Sequence, residues 1–522
     1  MKLNFKKKNI VNLVPFFLGL ASSFSLPPYN LLIINFITFP LLLLIISENS
    51  KGTKWIFFKI GWFFGFGYFV SNLYWITYSL TFEESFKFLI PIALIIIPLF
   101  LGLFYGFAIL ILSYFKLEKN FFLVLLFSLV LGIFEFIRGS ILSGFPWNLI
   151  VFSWSNYINS LQILSLIGTY SFNLISITFF SFPFLIFIKK NLKFRLLITF
   201  SLLFILILNH TYGSWIIKKD NNDLRSLEYK IKILSPKIEI ERFLEFGDPE
   251  KTIQELINLS KPNKSEKTIF IYPEGILTNI YFEDLKLFKN NFVKNFSSDH
   301  IIFMGVNSRE LTDRKNKIYN SLVVIDNELN LIAKYDKNNL VPFGEFLPFE
   351  NFFSKFGLKK ITSGYESFSA GKKRNLISLN KTNFLPLICY EIIYSGNLKQ
   401  KFVFRPPNAI DENFDFIVNI SEDGWFGNSI GPYQHFSHSI FRAIEEGTNI
   451  IRASNNGISG LIDSNGIILK SIKSTERGVI EVDRIKNTKN TFFSRFGNKI
   501  FFYFLIFYTI LLFLNFKGRK KS

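Results

Sequence analysis

Two patterns of apolar and polar positions divide the 522-residue chain. Uninterrupted apolar runs occupy about 10–26, 30–47, 55–78, 88–115, 121–143, 161–188, 195–210 and 499–516. Several reach the roughly 20 residues that an α-helix, rising about 1.5 Å per residue, needs to cross ~30 Å of hydrocarbon. The pattern predicts about eight membrane spans. Lys6, Lys7 and Lys8 precede the first run as in a signal peptide, but more spans follow at once, so it reads as uncleaved.

From about residue 228 the runs become short and are broken by polar turns. Strands are predicted at 268–275, 300–308, 321–326, 329–337, 384–391 and 414–421. Several are apolar throughout, which implies a sheet covered on both faces. Pro432 and Gly447 bound a predicted helix, and Asn465–Gly466 marks the turn of a hairpin over 461–469. Strands interleaved with helices argue a layered α/β or α+β domain. The expected organisation is a membrane domain of seven transmembrane helices (1–210), an α/β domain (211–498), and a final transmembrane helix with a basic tail (499–522).

Charge orients this arrangement. With eight crossings both termini share one side. Placing them in the cytoplasm puts seventeen Lys and Arg of the membrane part inside and leaves Lys87, Arg138 and Lys499 outside. That is a strong positive-inside bias, and it puts 211–498 beyond the cytoplasmic membrane, in the periplasm of a cell with an inner membrane. It also accounts for most of the net charge of +20: segment 211–498 carries 39 basic against 34 acidic residues. A nucleic-acid binder would concentrate its charge on the folded domain, so nucleic acid is not an expected partner.

Cys389 is the only cysteine. It excludes an intramolecular disulfide and multi-cysteine zinc patterns. His435 and His438 are three apart, but no third ligand accompanies them, so neither a metal nor any other cofactor is expected. Glu274, Lys337 and Cys389 share one kind of position, at or just past the end of an apolar strand, where layered α/β domains assemble active sites. A thiol is mostly protonated at neutral pH and needs a base or a cation to act as a nucleophile. Glu274 suits the base, and Lys337 suits the stabilisation of an oxyanion. Spacing alone leaves the bland readings open: a solvated carboxylate, a surface lysine and a small buried thiol.

The strings "YPEG", "YDKNNLVPFGEFLP", "LICYE" and "NISEDGWFG…GPYQHF…RASNNGISGLID" resemble the nitrilase superfamily. Together with the membrane spans, "SLPPYN" and "EFIRGSILSGFPW", they resemble the bacterial apolipoprotein N-acyltransferase family over nearly the whole chain. The resemblance implies an α-β-β-α sandwich for the outer domain. It implies Cys389 as nucleophile, Glu274 as general base, Lys337 as the oxyanion lysine and Glu345 as the glutamate that supports it. Tyr390 and Glu391 match the positions flanking the nucleophile and are expected to contact substrate. Two departures stand out. Tyr272 occupies a position usually held by tryptophan and is expected to keep an aromatic wall. Glu422 and Gly424 replace the usual residues of the following loop, and no role is assigned to Glu422.

The implied reaction is a two-step acyl transfer from a membrane phospholipid, through a Cys389 thioester, to the α-amino group of a diacylglyceryl-cysteine on an apolipoprotein. Spans suit such chemistry, because drawing an acyl chain of about sixteen carbons into water costs ~12 kcal/mol. Two alternatives are a membrane-tethered carbon–nitrogen hydrolase (an amidase) using the same three residues, and a non-enzymatic scaffold with an inactive nitrilase-like domain. The Phe-rich segment 343–358 reads equally as an arm dipping into lipid or as core. Glu135 and Arg138 read as a structural ion pair, and Trp147 as an interface anchor.

Overall fold

The computed structural model describes residues 8–187, 192–220, 224–243, 247–311, 316–348, 367–380, 382–396, 398 and 414–520, without the side chains of 8–11 and 516–520. The apolar runs form helices α1 (Lys8–Ser23), α2 (Asn35–Glu48), α3 (Lys54–Leu73), α4 (Ile90–Leu112), α5 (Phe121–Arg138), the short α6 (Ile158–Leu161), α7 (Leu164–Ser181) and α8 (Leu192–Lys219). Among the described residues five helical stretches are long and apolar enough to cross a membrane: Lys54–Thr81, Glu84–Leu112, Phe121–Arg138, Leu164–Phe187 and Leu192–Lys219. Shorter apolar helices cover Asn12–Ser23, Leu32–Glu48 and Lys499–Asn515.

Glycine lets the first of these helices touch backbone to backbone. A Cβ on Gly19 would strike the carbonyl of Phe64, and one on Gly67 that of Phe16, so α1 and α3 close only without side chains there. α8 is the opposite case. Leu197, Phe200, Phe204 and Ile207 are exposed along it, a surface that lipid can cover and water cannot. It runs on to Lys219, past the expected boundary at 210, and the run 161–188 is interrupted by a non-helical Gly168 (φ 72°).

Glu135 and Arg138 form the expected ion pair, fully buried, with Arg138 Nη2 3.1 Å from Glu135 Oε1. Tyr105 and Asn173 donate to the remaining carboxylate positions at 2.7 and 3.0 Å, which satisfies a charge that would be costly alone. Trp147 is not an interface anchor. It is 2% exposed and donates from Nε1 to Gln434 Oε1 at 2.9 Å, because its loop lies between the two halves of the molecule.

The rest of the chain supplies strands β1 (Leu224–Ser235), β2 (Thr268–Ile271), β3 (Leu277–Tyr281), β4 (His300–Glu310), β5 (Lys317–Ile325), β6 (Leu331–Asp336), β7 (Ile377–Leu379), β8 (Thr382–Ile388), β9 (Phe416–Glu422), β10 (Asn449–Asn455), β11 (Ser459–Ile462), β12 (Ile468–Ile472) and β13 (Gly478–Lys486). One sheet has the order β13-β1-β2-β4-β5-β6 with β3 beside β4; the other runs β12-β11-β10-β9-β8-β7. Parallel pairs (β1–β2, β2–β4, β8–β9, β9–β10) occupy the middle of each sheet and antiparallel pairs the flanks.

The inner faces pack together, with Phe303 of β4 5.2 Å from Phe384 of β8 between ring centroids. Helices α9 (Pro249–Ser260) and α10 (Lys289–Asn295) cover the outer face of the first sheet through Ile253, Leu256, Ile257 and Phe292, which share a buried cluster with Met304 of β4. The second sheet is covered by α11 (Gly431–Glu446), which Gly447 ends in a left-handed cap as its sequence predicts. The layers are therefore α-β-β-α. α11 carries many polar residues yet is buried all round except at Tyr433, because the membrane helices pack on its far side. There Phe441 meets Phe152 at 4.6 Å, Glu445 accepts from both the amide and the hydroxyl of Thr169 at 2.6 Å, and Gln434 Nε2 reaches Asn72 at 3.2 Å. α12 (Phe492–Phe496) and α13 (Lys499–Lys520) return the chain to α7 and α5.

Candidate active site

Three strand ends converge between the sheets. β2 stops at Ile271, and Tyr272–Pro273 deliver Glu274 into a turn completed by Gly275 (φ 52°). That turn crosses β4 at Gly305, where any Cβ would collide with Glu274 Cα and the carbonyl of Pro273. β6 ends at Asp336, so Lys337 emerges beside it, its amide fixed to Asn320 O at 2.9 Å. β8 ends at Ile388, and Cys389 opens a tight turn over Cys389–Ile393 with φ 50°. A non-glycine residue in this left-handed region costs on the order of 1–2 kcal/mol, and here it lifts the residue abruptly off the strand.

Lys337 Nζ lies 3.2 Å from Glu274 Oε1 and 2.9 Å from Glu345 Oε1. The amide of Asn320 donates to both of these oxygens, at 2.7 and 2.8 Å. The second oxygen of Glu274 accepts from the Glu422 amide at 2.9 Å, and that of Glu345 from the Val341 amide at 2.8 Å. All four side chains are buried, so two carboxylates and one ammonium share a nearly dry space. Burial alone would pull the Lys337 pKa down; Glu274, Glu345 and the thiolate form of Cys389 hold it well above the ordinary lysine value. Burial and the Glu274 charge push the Cys389 thiol up, against the opposing pull of Lys337. Cys389 therefore rests as a thiol inside the field of both the Glu274 carboxylate and the Lys337 ammonium.

The structure brings Glu274, Lys337, Glu345 and Cys389 together and gives other places to the remaining expected residues. Tyr390 turns its hydroxyl to Gly144 O at 2.9 Å, in the loop after α5. Glu391 is not at a substrate surface. Its carboxylate is fully buried, with Oε1 accepting from Tyr335, Asn338, Asn339 and Arg374 at 2.7–3.2 Å and Oε2 from the Ile388 amide at 2.9 Å. It binds the turn after Lys337 to the strand before Cys389. Tyr272 does not form a wall of the site; its ring joins the core under α9, and its hydroxyl pairs with Ser260 Oγ at 2.8 Å. The Phe-rich segment lies outside the described residues beyond 348; within it Phe343 is exposed and Leu347 buried.

Several contributors escaped the sequence reading. Asn320 looks like one polar residue in a strand, and Arg374 like part of a solvated basic run, yet Arg374 is 3% exposed on Glu391. Glu422 accepts from Arg242 at 2.6 Å and from Asn455 at 2.8 Å, so its amide is held in place beneath Glu274. Among the described residues, no group of three or more His, Cys, Asp or Glu side chains is arranged to hold a metal ion.

The family model for the apolipoprotein N-acyltransferase N-terminal domain matches residues 18–181, and that for carbon-nitrogen hydrolases matches residues 297–488. The second includes Lys337, Glu345 and Cys389 and begins after Glu274. The apolipoprotein N-acyltransferase of Rickettsia prowazekii (strain Madrid E) is 32% identical over 475 residues, which cover 89% of this chain and 92% of that protein. The one from Rhodopseudomonas palustris is 30% identical over 498 residues, 92% and 90% of the two chains. Among solved structures, a CN-hydrolase superfamily protein from Xanthomonas campestris covers 50% of this chain and 91% of its own, at a TM-score of 0.34 and 16% identity, values too low for inference.

Proposed function

Because the chain belongs to the apolipoprotein N-acyltransferase family, we propose that Cys389 carries an acyl group from a membrane phospholipid to the α-amino group of a diacylglyceryl-cysteine on an apolipoprotein. In the first step Glu274 takes the thiol proton and the thiolate attacks the ester carbonyl. The oxyanion that forms is stabilised by Lys337, and collapse forms the thioester and expels a lysophospholipid whose alkoxide recovers the proton from Glu274. In the second step the amine attacks the thioester, Glu274 accepts its proton, and the Cys389 sulfur leaves and is reprotonated. Glu345 and Asn320 hold Lys337 and Glu274 in register throughout. Tyr390, hydrogen-bonded to Gly144 O, braces the turn after the nucleophile against the loop that follows α5.

One observation carries this reading: a buried lysine between two buried carboxylates, electrostatically coupled to the chain's only thiol. Five apolar helices long enough to cross, with three shorter apolar ones, favour eight crossings, the membrane part reaching to Lys219 and resuming at Lys499. The placement of Lys and Arg supports cytoplasmic termini and a periplasmic domain over 211–498 in the inner membrane.

The test is intact mass of the purified chain after incubation with phospholipid, beside Cys389→Ser. A hydroxylamine-labile gain of one acyl chain, absent in the variant and discharged onto a diacylated lipopeptide, supports the transferase. Discharge to water at the same rate with and without lipopeptide supports a hydrolase. No adduct during turnover removes Cys389 from the mechanism.

A further inference from the structure

Behind Cys389 lies a second polar cluster that the acyl-transfer scheme does not use. Asp423, His435, Arg452 and Asn419 are each fully buried. Asp423 Oδ1 is 2.9 Å from His435 Nδ1, and its two oxygens lie 3.1 and 2.9 Å from Arg452 Nη2. Ser421 donates to the same carboxylate at 2.7 Å, and Arg452 also donates to Asn419 Oδ1. The outward-facing donors of this cluster converge on one atom: His435 Nε2 is 3.3 Å and Asn419 Nδ2 3.4 Å from the carbonyl oxygen of Cys389.

By composition, cysteine, histidine and aspartate suggest a protease-like relay in which the imidazole takes the thiol proton. The geometry is different. The imidazole edge meets the main-chain oxygen, and the carboxylate whose charge acts most on the thiol is Glu274, with Asp423 a smaller contributor. A residue held at φ 50° between a strand and a tight turn relaxes readily unless its peptide is fixed, and the direction of Sγ follows that peptide. Burial and Arg452 hold the His435 pKa below its ordinary value, so at neutral pH it carries one proton. Placed on Nε2, that proton reaches the Cys389 carbonyl, and Nδ1 accepts at 3.0 Å from the Arg452 guanidinium, which Asp423 holds in place.

We propose that His435, whose Nδ1 accepts from an Arg452 guanidinium held in turn by Asp423, is a positioning residue that holds the Cys389 peptide by its carbonyl and so aims the sulfur at the scissile ester. The inference rests on Cys389 being the nucleophile. Its effect belongs to alignment, so it acts on the chemical step and leaves both donor binding and thiol ionisation unchanged.

The full-length chain in phospholipid nanodiscs provides the test, with His435→Ala, His435→Gln and the unsubstituted protein. Single-turnover thioester formation is followed by intact mass across phospholipid concentrations. Iodoacetamide alkylation is followed across pH; since there is one cysteine, it reports Cys389 alone. The expected result for His435→Ala is a fall of about tenfold or more in the acylation rate, with half-saturation within about twofold of the parent and an unmoved alkylation midpoint. His435→Gln, whose amide can still donate to the carbonyl, is expected to recover most of the rate. Parent-like acylation in His435→Ala overturns the proposal. So does a shifted alkylation midpoint, which would make His435 a base. Equal losses in both variants with a matching fall in thermal midpoint also overturn it, since His435 would then only hold the fold. An unsubstituted chain that forms no acyl-enzyme while still alkylating normally would instead remove the nucleophile assignment itself, and this inference with it.

Discussion

The ammonium of Lys337 sits 2.9 Å from Oε1 of Glu345, eight positions further along the chain. The loop between them closes on itself: the Glu345 amide donates to Val341 O at 2.9 Å, while the Val341 amide caps the other Glu345 oxygen. Lys337 thus carries its own counter-charge on a short tether and stays charged in a site that excludes most water.

Substituting either partner separates their tasks. Lys337→Met is expected to lower thioester formation by about 10²–10³-fold, the scale of losing an oxyanion donor. It leaves two buried carboxylates facing each other, so denaturant unfolding should also show a loss of about 3 kcal/mol. Glu345→Gln keeps the shape and one anion beside Lys337, and a fall of about tenfold is expected. Intact-mass time courses and denaturant titrations check both.

Glu274→Gln has a less intuitive outcome. The Glu274 charge helps to hold the Cys389 thiol up, and Lys337 opposes it. Removing the carboxylate takes away the largest charge acting against the ammonium and leaves burial and Asp423, so the alkylation midpoint of Cys389 should move to lower pH. Turnover should nevertheless disappear, because nothing remains to take the proton from thiol or amine. A midpoint that moves upward would mean that Glu274 does not face the thiol as a charge.

Gly305 offers a test of position without any change in chemistry. Its hydrogen is the only side chain that fits against Glu274 Cα and Pro273 O. Gly305→Ala must displace the turn that carries Glu274, and, with Glu274 as the proposed base, a loss of about 10²-fold in kcat is expected from a shift near 1 Å. Parent-like kcat in this variant would show that the base tolerates displacement.

Acid should unfold the chain through His300, His435 and His438. Burial holds His435 and His438 below the ordinary 6.5, with Arg452 and Arg442 reinforcing it and Asp423 opposing it at His435; burial likewise lowers His300. The unfolded chain then binds protons that the folded one refuses, so stability is complete above about pH 6.5 and falls as pH drops through the window below it. Each histidine contributes up to about 1.4 kcal/mol per pH unit in that window. Thermal midpoints between pH 8 and 5 check this, and His438→Leu should flatten the slope.

The legibility of this molecule in its sequence follows from where each signal is written. Glu274, Lys337 and Cys389 are visible because a strand end is a local feature: an apolar run stops and a reactive side chain follows. Asn320 is invisible because its importance lies in two partners that the fold brings to it, at 2.7 and 2.8 Å. Arg374 misleads, since a basic run reads as solvated until Glu391 is known to lie beneath it. Trp147 misleads differently. A tryptophan at the end of an apolar run suits the lipid–water boundary, and only the docking of α11 turns that boundary into an interior.

That docking governs whether the protein can be divided. α11 is the outer wall of a soluble-type sandwich and at the same time a member of the membrane bundle, with Phe441 and Glu445 spent on Phe152 and Thr169. An excised catalytic fragment would offer this face to water, together with buried charges that have lost their partners. The two halves therefore complete one another's cores through α11 and stand as a single packing unit.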